Sequence, residues 1–295
     1  MTPSAQMPET CPVCGAASVR PYRHAWLTRC GTCGVLAADF PRNIPDQPGD
    51  GGLDEDLRAE GLASLRLKNN AALLATLAGL LGEGRHRLLD VGCGPGFLLS
   101  QAAELGFEAQ GVEPDANVLA AARGRGVPVR QGYFPGALAR DETFDAIVFN
   151  DVLEHIPDVR AAIAAASTHL RPGGVLCLNC PDRRGLFFRI AALMDRAGLS
   201  GPYDRLWQRG LPSPHLWYFT PANLRQATAP FGLTPARDLR LATAELKGLW
   251  SRIRMVRETP LPMALATWAF TAATYPFAQA LPSDAVACFF RKGES

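Results

Sequence analysis

The sequence predicts an α/β protein centred on an open, doubly wound sheet. Between Arg87 and Asp182, short apolar runs alternate with segments of helical period, the rhythm of parallel strands joined by crossover helices. The first run, RLLDV, passes straight into a turn carrying Gly92, Gly94 and Gly96. Glycines there allow a strand-to-helix turn with dihedrals that other residues avoid. The second run, FEAQGVEP, ends on Glu113, 23 residues after Asp90, where such sheets place a carboxylate against the ribose of a bound nucleoside.

The elements follow in order. CPVCGAASVRPYRHAWLTRCGTCG, Cys11 to Gly34, repeats a C-x-x-C-G turn with 15 residues between Cys14 and Cys30. The spacing predicts a zinc-ribbon-like module over residues 1–40, with Cys11, Cys14, Cys30 and Cys33 as ligands of one structural Zn. A dithiol redox centre would account for one pair and not both. His24 is a spare ligand, since four cysteines already fill the shell. Residues 41–52, rich in proline and glycine, read as a linker. From 53 to 295 the chain reads as one domain. It opens with a helical region in which Leu73, Leu74, Leu77 and Leu80 form a packed face after a polar interruption at Asn69 and Asn70.

RLLDV, FEAQGVEP, VPVRQG, TFDAIVFND and VLCLNCPD are the five strands that follow. GFLLSQAAELG, DANVLAAARGRG and PDVRAAIAAASTHL supply the helices, and RPGG is a turn. Two insertions interrupt the pattern. Residues 183–219 are an aromatic and apolar lid or acceptor wall, and 243–284 a helical insertion before the last strand, AVACFFRK. Between them a helix starts near Pro221 and a strand runs from Leu233 to Leu239.

The formal charge of +2 gives no support to a broad polyanion-binding face. The start of the chain has neither the basic residues nor the apolar run of a signal peptide, so a cytoplasmic location is expected. The uncharged stretch Thr259–Ser283 is long enough to cross a bilayer, but its four prolines and its place before a strand of the same sheet argue against a transmembrane segment. ELKGLWSRIRMVR, 245–257, has an apolar face of Leu246, Leu249, Trp250, Ile253 and Val256, with Lys247, Arg252, Arg254 and Arg257 largely elsewhere. That pattern fits domain packing, a homodimer contact or peripheral membrane contact.

The glycine turn has its second and third glycines two residues apart, which departs from a dinucleotide fingerprint. Asp90, near the end of a buried-looking strand, needs a partner there, a ligand ammonium or the N–H groups of the turn. In this order and spacing LLDVGCGPG, GVEP, FDAIVFNDVLEHIPD and LRPGGVLCLNCPD resemble the four successive motifs of class I S-adenosylmethionine-dependent methyltransferases. The nearest subgroup is the ubiquinone-biosynthesis-like one. The resemblance runs from Leu88 to Asp182 and resumes weakly at HLWYFTPANLRQATAPFGL. It implies a seven-stranded, Rossmann-like sheet, here with a small zinc ribbon and helical insertions. An N-terminal four-cysteine ribbon on such a domain also resembles bacterial enzymes of sugar, cell-surface or natural-product pathways.

The resemblance further implies that Asp90 and the turn residues Gly92, Cys93, Gly94 and Gly96 face the methionine part of S-adenosylmethionine. Glu113 would take the ribose, with Pro114 and Asp115 beside the adenosine. Gln131 and Gly132 would meet the adenine edge, and Asn150 and Asp151 would end near the sulfonium. Val112 and Phe134 either line the adenine face or belong to the core. The expected reaction is in-line methyl transfer to a small-molecule or lipid-linked acceptor, at oxygen first, with His155 and His215 as candidate bases. Glu154 reads as a helix or loop residue, and His86 and His169 as surface residues. No catalytic metal is expected, because no second ligand cluster is visible. The N/D-P-P-aromatic motif of base-directed enzymes is missing, which argues against nucleic acid. An RNA methyltransferase using the ribbon for contact, and a non-catalytic scaffold, remain the alternatives.

Overall fold

The computed structural model describes residues 10–40, 55–211, 213–243, 245–254, 260–280 and 282–294. The linker expected at 41–52 lies outside them. The central sheet takes its shape from five buried runs: β4 (Arg87–Val91), β5 (Glu108–Glu113), β6 (Val129–Gln131), β7 (Phe144–Asn150) and β8 (Leu170–Pro181). All neighbours among these pair in parallel. Two further strands, β10 (Leu233–Arg240) and β11 (Ala285–Lys292), complete seven in the order β10-β11-β8-β7-β4-β5-β6. β11 runs antiparallel to both its neighbours. Leu88, Leu89, Ile147, Val148, Leu176 and Phe289 have no exposed surface, as a sheet covered by helices on both faces requires. RPGG, expected as a turn, is the start of β8. The ladder slips opposite Phe144–Ala146, and Gly173 takes φ 75 there, so the glycines bend the strand without ending it.

On one face α1 (Glu55–Leu81) covers the sheet as a single helix. The polar pair that interrupts the leucine spacing lies inside it, with both amides used. Asn69 exchanges two hydrogen bonds with the backbone of Ala242, and the Asn70 side chain accepts from Asn150 at 3.2 Å. α2 (Phe97–Glu104) and α3 (Ala116–Gly124) follow β4 and β5, and α4 (Val159–His169) is capped by Asp158. His169, expected at the surface, is buried, with Nδ1 2.6 Å from the Glu142 carbonyl. His86 is half-buried beside Phe107.

The ribbon is a hairpin of β1 (Val19–Tyr22) and β2 (His24–Cys30), turned at Arg23 with φ 61, followed by β3 (Leu36–Ala38). Its outer edge is taken by β9 (Trp217–Tyr218) from the end of the first insertion, with Leu36 opposite Tyr218 and Ala37 opposite Trp217. One apolar core therefore runs from Val13, Leu27 and Leu36 through Trp207 and Tyr218 to Phe149 and Leu178 of the large sheet. The insertion itself contains α5 (Leu186–Arg196) and α6 (Gly201–Leu206), and α7 (Pro221–Thr228) follows β9.

In the second insertion α8 (Leu249–Arg254) precedes α9 (Leu261–Ala280). The amphipathic 245–257 segment packs on α1 in part: Leu249 is buried, Ser64 donates to Glu245 at 2.8 Å, and a Cβ on Gly248 would stand 2.6 Å from the Gly61 carbonyl. Leu246 and Trp250 stay exposed, while Val256 and Arg257 lie outside the described residues. Among the described residues no helix is long and apolar enough to cross a membrane.

Asp195 of α5 locks the ribbon to the insertion. It meets Arg23 at 2.7 Å and His24 at 2.9 Å and accepts from Ser200 at 2.7 Å. Burial pushes this carboxyl up, but the hydrogen bonds of Ser200 and His24 and the charges of His24 and Arg23 outweigh it, and its pKa is lowered. Asp195→Ala should cost about 1.5–3 kcal/mol, the worth of charge-assisted hydrogen bonds to partly exposed partners, and lower Tm accordingly. Because the folded pKa lies below the unfolded one, this stability is present above the unfolded value, about 3.9. It is lost as pH falls through the folded value. Thermal melts across the acid range should show the gap between wild type and variant constant near neutrality and closing with acid.

Candidate active site

Strand ends build the site. At the carboxyl edge of β4, β7 and β8 a cavity of about 210 Å³ is lined by Asp90, Gly92, Cys93, Gly94, Asn150, Asp151 and Asn179, with Arg66, Asn69 and Asn70 of α1 on its other side. The glycine turn is compressed against the sheet. Gly92 (φ 67) sits where a Cβ would meet Val152 at 2.8 Å, and Gly96 (φ 80) where one would meet Val127 at 2.8 Å. Gly94 (φ 53) has open space at that position. Two glycines thus serve close packing, and the middle one leaves its backbone bare on the cavity side.

Asp90 is 2 % exposed, and its Oδ1 has no hydrogen-bond partner. Burial, then the charge of Glu113, pushes its carboxyl up to about 8. A buried carboxylate without a partner is costly unless a cation reaches it. Across the cavity the Asn179 amide donates to Asn150 (2.8 Å) and Asp151 (3.1 Å), and Asn150 in turn donates to Asn70. Asp151 takes φ 57 at the cavity rim, where the charge of Arg66 faces it.

Glu113 holds the turn in place. Its Oε2 accepts from Gly94 N at 3.0 Å and its Oε1 from Asp115 N at 2.9 Å. Burial raises its pKa, and the two backbone donors oppose the shift. Gln131 ends β6, and Pro114 and Gly132 directly follow β5 and β6, at the same carboxyl edge but outside the cavity lining; Gly132 N donates to the Glu113 carbonyl. Val112 is a buried core residue, and Phe134 is half-buried, packed edge-on against Phe149.

Beyond β7 the chain makes one short turn, Leu153–His155. His155 and His215 stand with ring centroids 4.9 Å apart. His155 Nδ1 meets the Pro214 carbonyl at 2.9 Å, and the Gln208 amide lies 2.9 Å from His215 Nε2. His215 is lowered to about 3 by burial and then by the charge of His155. Neither ring lines the cavity. Glu154, expected as an ordinary helix or loop residue, is fully buried with both carboxylate oxygens unpartnered. Burial, then the charge of Asp151, raises its pKa well above the usual range. One donor atom from each of Glu154, His155 and His215 lies within 4.8 Å of the others, so a second group able to hold a metal exists where none was expected. The sequence hides it because His215 arrives from the far end of the insertion.

At the N-terminus the four thiols converge as the spacing predicts, all within 4.8 Å of one another. Cys11 and Cys33, and Cys14 and Cys30, have their sulfurs 3.7 Å apart. The four thiols share their protons unevenly: the hydrogen bond with Cys33 brings Cys11 down, and the same contact pushes Cys33 up, while burial pushes Cys14 up. Gly15 and Gly34, both at φ 72, close the two turns. His24 is no part of this cluster, being held by Asp195.

A methyltransferase-domain family model matches residues 62–237. The ubiquinone biosynthesis O-methyltransferase of Rhodopseudomonas palustris (strain HaA2) is 27 % identical over 199 residues, 64 % of this chain and 72 % of that one. Its counterpart in Methylobacterium sp. (strain 4-46) is 30 % identical over 176 residues, 57 % and 67 % of the two chains. Among solved structures, magnesium protoporphyrin IX methyltransferase from Synechocystis PCC 6803 superposes with a TM-score of 0.53 at 15 % identity, covering 83 % of this chain and 90 % of that one. A SAM-dependent methyltransferase from Thermotoga maritima gives 0.52 at 16 %, covering 81 % and 94 %; both show the fold. With the seven-stranded order, the glycine turn and the cavity at the carboxyl edge, these matches establish that the chain belongs to the methyltransferase-domain family, as an enzyme of the class I S-adenosylmethionine-dependent type.

Proposed function

We propose that the protein moves a methyl group from S-adenosylmethionine to an oxygen of a small-molecule or lipid-linked acceptor. The observation that carries the cofactor assignment is the buried, unpartnered Asp90 oxygen behind the glycine turn, a fit for the ammonium of an amino-acid-bearing ligand. The oxygen acceptor is supported by the named activity of the relatives. When bound, the cofactor supplies an electrophilic methyl group on a sulfonium. In this reading Asp90 binds the ammonium, with Gly92, Cys93, Gly94 and Gly96 shaping the backbone under the methionine part. Glu113 receives the ribose, beside Pro114, Gln131 and Gly132. Asn150 and Asp151, fixed by Asn179 and Asn70, border the reacting end, and Arg66 provides a cation on the α1 side.

His155 is the base in this reading. Its Nδ1–H donates to Pro214, which selects the tautomer whose Nε2 accepts a proton. His215, buried and neutral, shapes the acceptor side. A zinc ion held by Cys11, Cys14, Cys30 and Cys33 stabilises the ribbon, which is too small for a core of its own. The ribbon's outer edge is spent on β9, which favours a brace within the enzyme over a separate RNA-reading module.

Calorimetry with S-adenosylhomocysteine tests Asp90. The Asp90→Asn variant should bind at least about tenfold more weakly. Wild-type affinity should rise with pH toward about 8, because the ammonium pairs with the ionised carboxylate, and the variant should lose that rise. Equal affinity in both proteins would leave Asp90 a role in folding alone.

Elemental analysis of protein purified without added metal should give one zinc per chain. Chelation should lower Tm and loosen amide-exchange protection at Trp217 and Tyr218, which pair with the ribbon; a metal-free ribbon that stays fully folded would sink the assignment.

With labelled donor, a panel of quinone-like phenols, nucleotide sugars, lipid extracts and total RNA should show label in a small or lipid-linked product. Label in RNA alone would overturn the acceptor class. On the substrate found, His155→Ala should reduce kcat by about a hundredfold or more and flatten its pH profile. His215→Ala should act mainly on the acceptor KM.

A further inference from the structure

The repeated C-x-x-C-G turn gives the ribbon two glycines in matching places, Gly15 and Gly34, both at φ 72. Their surroundings differ. A Cβ on Gly15 would meet nothing within 4 Å. One on Gly34 would stand 3.0 Å from Nη2 of Arg183 and 3.6 Å from Nη2 of Arg29. Two guanidinium groups therefore close on the second turn, and the missing side chain admits them. Arg183 comes from the chain leaving β8. Arg29 belongs to β2, directly opposite Arg20 of β1, with its guanidinium carbon 5.5 Å from the centre of the Tyr22 ring.

Like charges set side by side are unfavourable, and Arg183 is half-buried, where a cation needs an anion. Among the described residues none of Arg20, Arg29 and Arg183 forms an ion pair with an acid. Asp182, next to Arg183 in the chain, is paired with Arg184 at 2.8 Å. The Cys33 sulfur lies within electrostatic reach of Arg183, and behind it stands the whole cluster of four sulfurs. A zinc ion held by four thiolates carries two negative charges, which two guanidinium groups balance. The catalytic domain holds the same turn by its backbone as well. The Asn223 amide of α7 donates to the Cys33 carbonyl at 3.0 Å, and Arg183 N donates to the Phe219 carbonyl at 3.0 Å, just past β9.

We propose that Arg183 and Arg29 are positioning cations of the zinc–thiolate centre, and that they make metal loading and docking of the ribbon on the end of β8 a single event. With zinc bound, the two cations flank an anion and join the ribbon to the sheet. Removal of the metal leaves two like charges together at Gly34, and the junction weakens. This role rests on the zinc assignment above and extends it: the metal orders the chain that enters the first insertion, not the ribbon alone.

Transfer of zinc from the full chain to a coloured chelator, at one pH and low salt, tests the role. Arg183→Gln should release zinc about tenfold or more faster than wild type. Arg183→Lys keeps the charge and should recover most of that difference. Arg29→Gln, at an exposed position, should shift release the same way without risk to the fold. Arg189→Gln, an exposed arginine of α5 away from the turn, should behave as wild type. Rising salt should speed the wild type toward the two Gln variants. Once stripped of zinc, Arg29→Gln should keep more amide-exchange protection at Ala38, whose N–H donates to Leu216 across the β3–β9 edge, than stripped wild type. Release unchanged in Arg183→Gln, equal loss in Arg183→Gln and Arg183→Lys, or equal loosening of the two stripped proteins would each overturn the role and leave the zinc assignment standing. Wild-type protein that carries no zinc would overturn both.

Discussion

The site hangs on the compression of the Gly92–Gly96 turn against the ends of β4 and β5. Val152 and Val127 leave no room for a Cβ at Gly92 or Gly96, and Gly92 and Cys93 both donate to the Val112 carbonyl. Glu113 then seizes the amide of Gly94 from the neighbouring strand. With the backbone pinned on both sides, Asp90 is left at the bottom of the cavity with an oxygen that nothing in the protein satisfies. The cost of that oxygen and the room at Gly94 have one origin: the chain is arranged around a partner it does not itself contain.

A second constraint acts from the opposite side. β3 of the ribbon needs an edge partner, and β9 provides it with Trp217 and Tyr218. That pairing fixes the residues just before it. Leu216 N donates to the Glu154 carbonyl, and Ala38 N to Leu216 O. His215 is thereby held against His155, inside an aromatic cluster of Trp26, Tyr203, Trp207 and Tyr218. The cysteine turns and the histidine pair, more than a hundred residues apart in sequence, belong to one packed unit. Asn223 adds a further tie, donating to the Cys33 carbonyl while closing the Thr220 cap of α7.

The two insertions solve different problems on the same edge. The first spends its inward residues on the ribbon and the histidines, and the second packs Leu249 and Gly248 on α1. Each keeps an apolar outward surface that folding alone does not require. The sheet is already closed over by α1 and α4, so this surface adds nothing to the core. A polar replacement of such side chains would carry little cost in stability.

Much of this was legible in the residues themselves. Period and punctuation predict β4, β5, β7 and β11 because a strand buried on both faces must be a short apolar run, and turns need glycine or proline whatever surrounds them. The repeated C-x-x-C-G turn predicts a four-thiol cluster because ligand geometry is set within each turn, and the four sulfurs do converge. Local pattern fails where long-range partners decide. Asn69 and Asn70 read only as a gap in the leucine spacing, yet Ala242 and Asn150 satisfy them and bring α1 to the cavity wall with Arg66. His169 reads as exposed until the Glu142 carbonyl arrives to meet it. Glu154 reads as a loop acid, and only the fold of a distant segment buries it beside two histidines. The sequence by itself determined the sheet, the glycine turn and the cysteine cluster, since each is specified by neighbours in the chain. Tertiary structure alone decided which polar groups are buried and who meets them, because burial is a property of what packs from elsewhere.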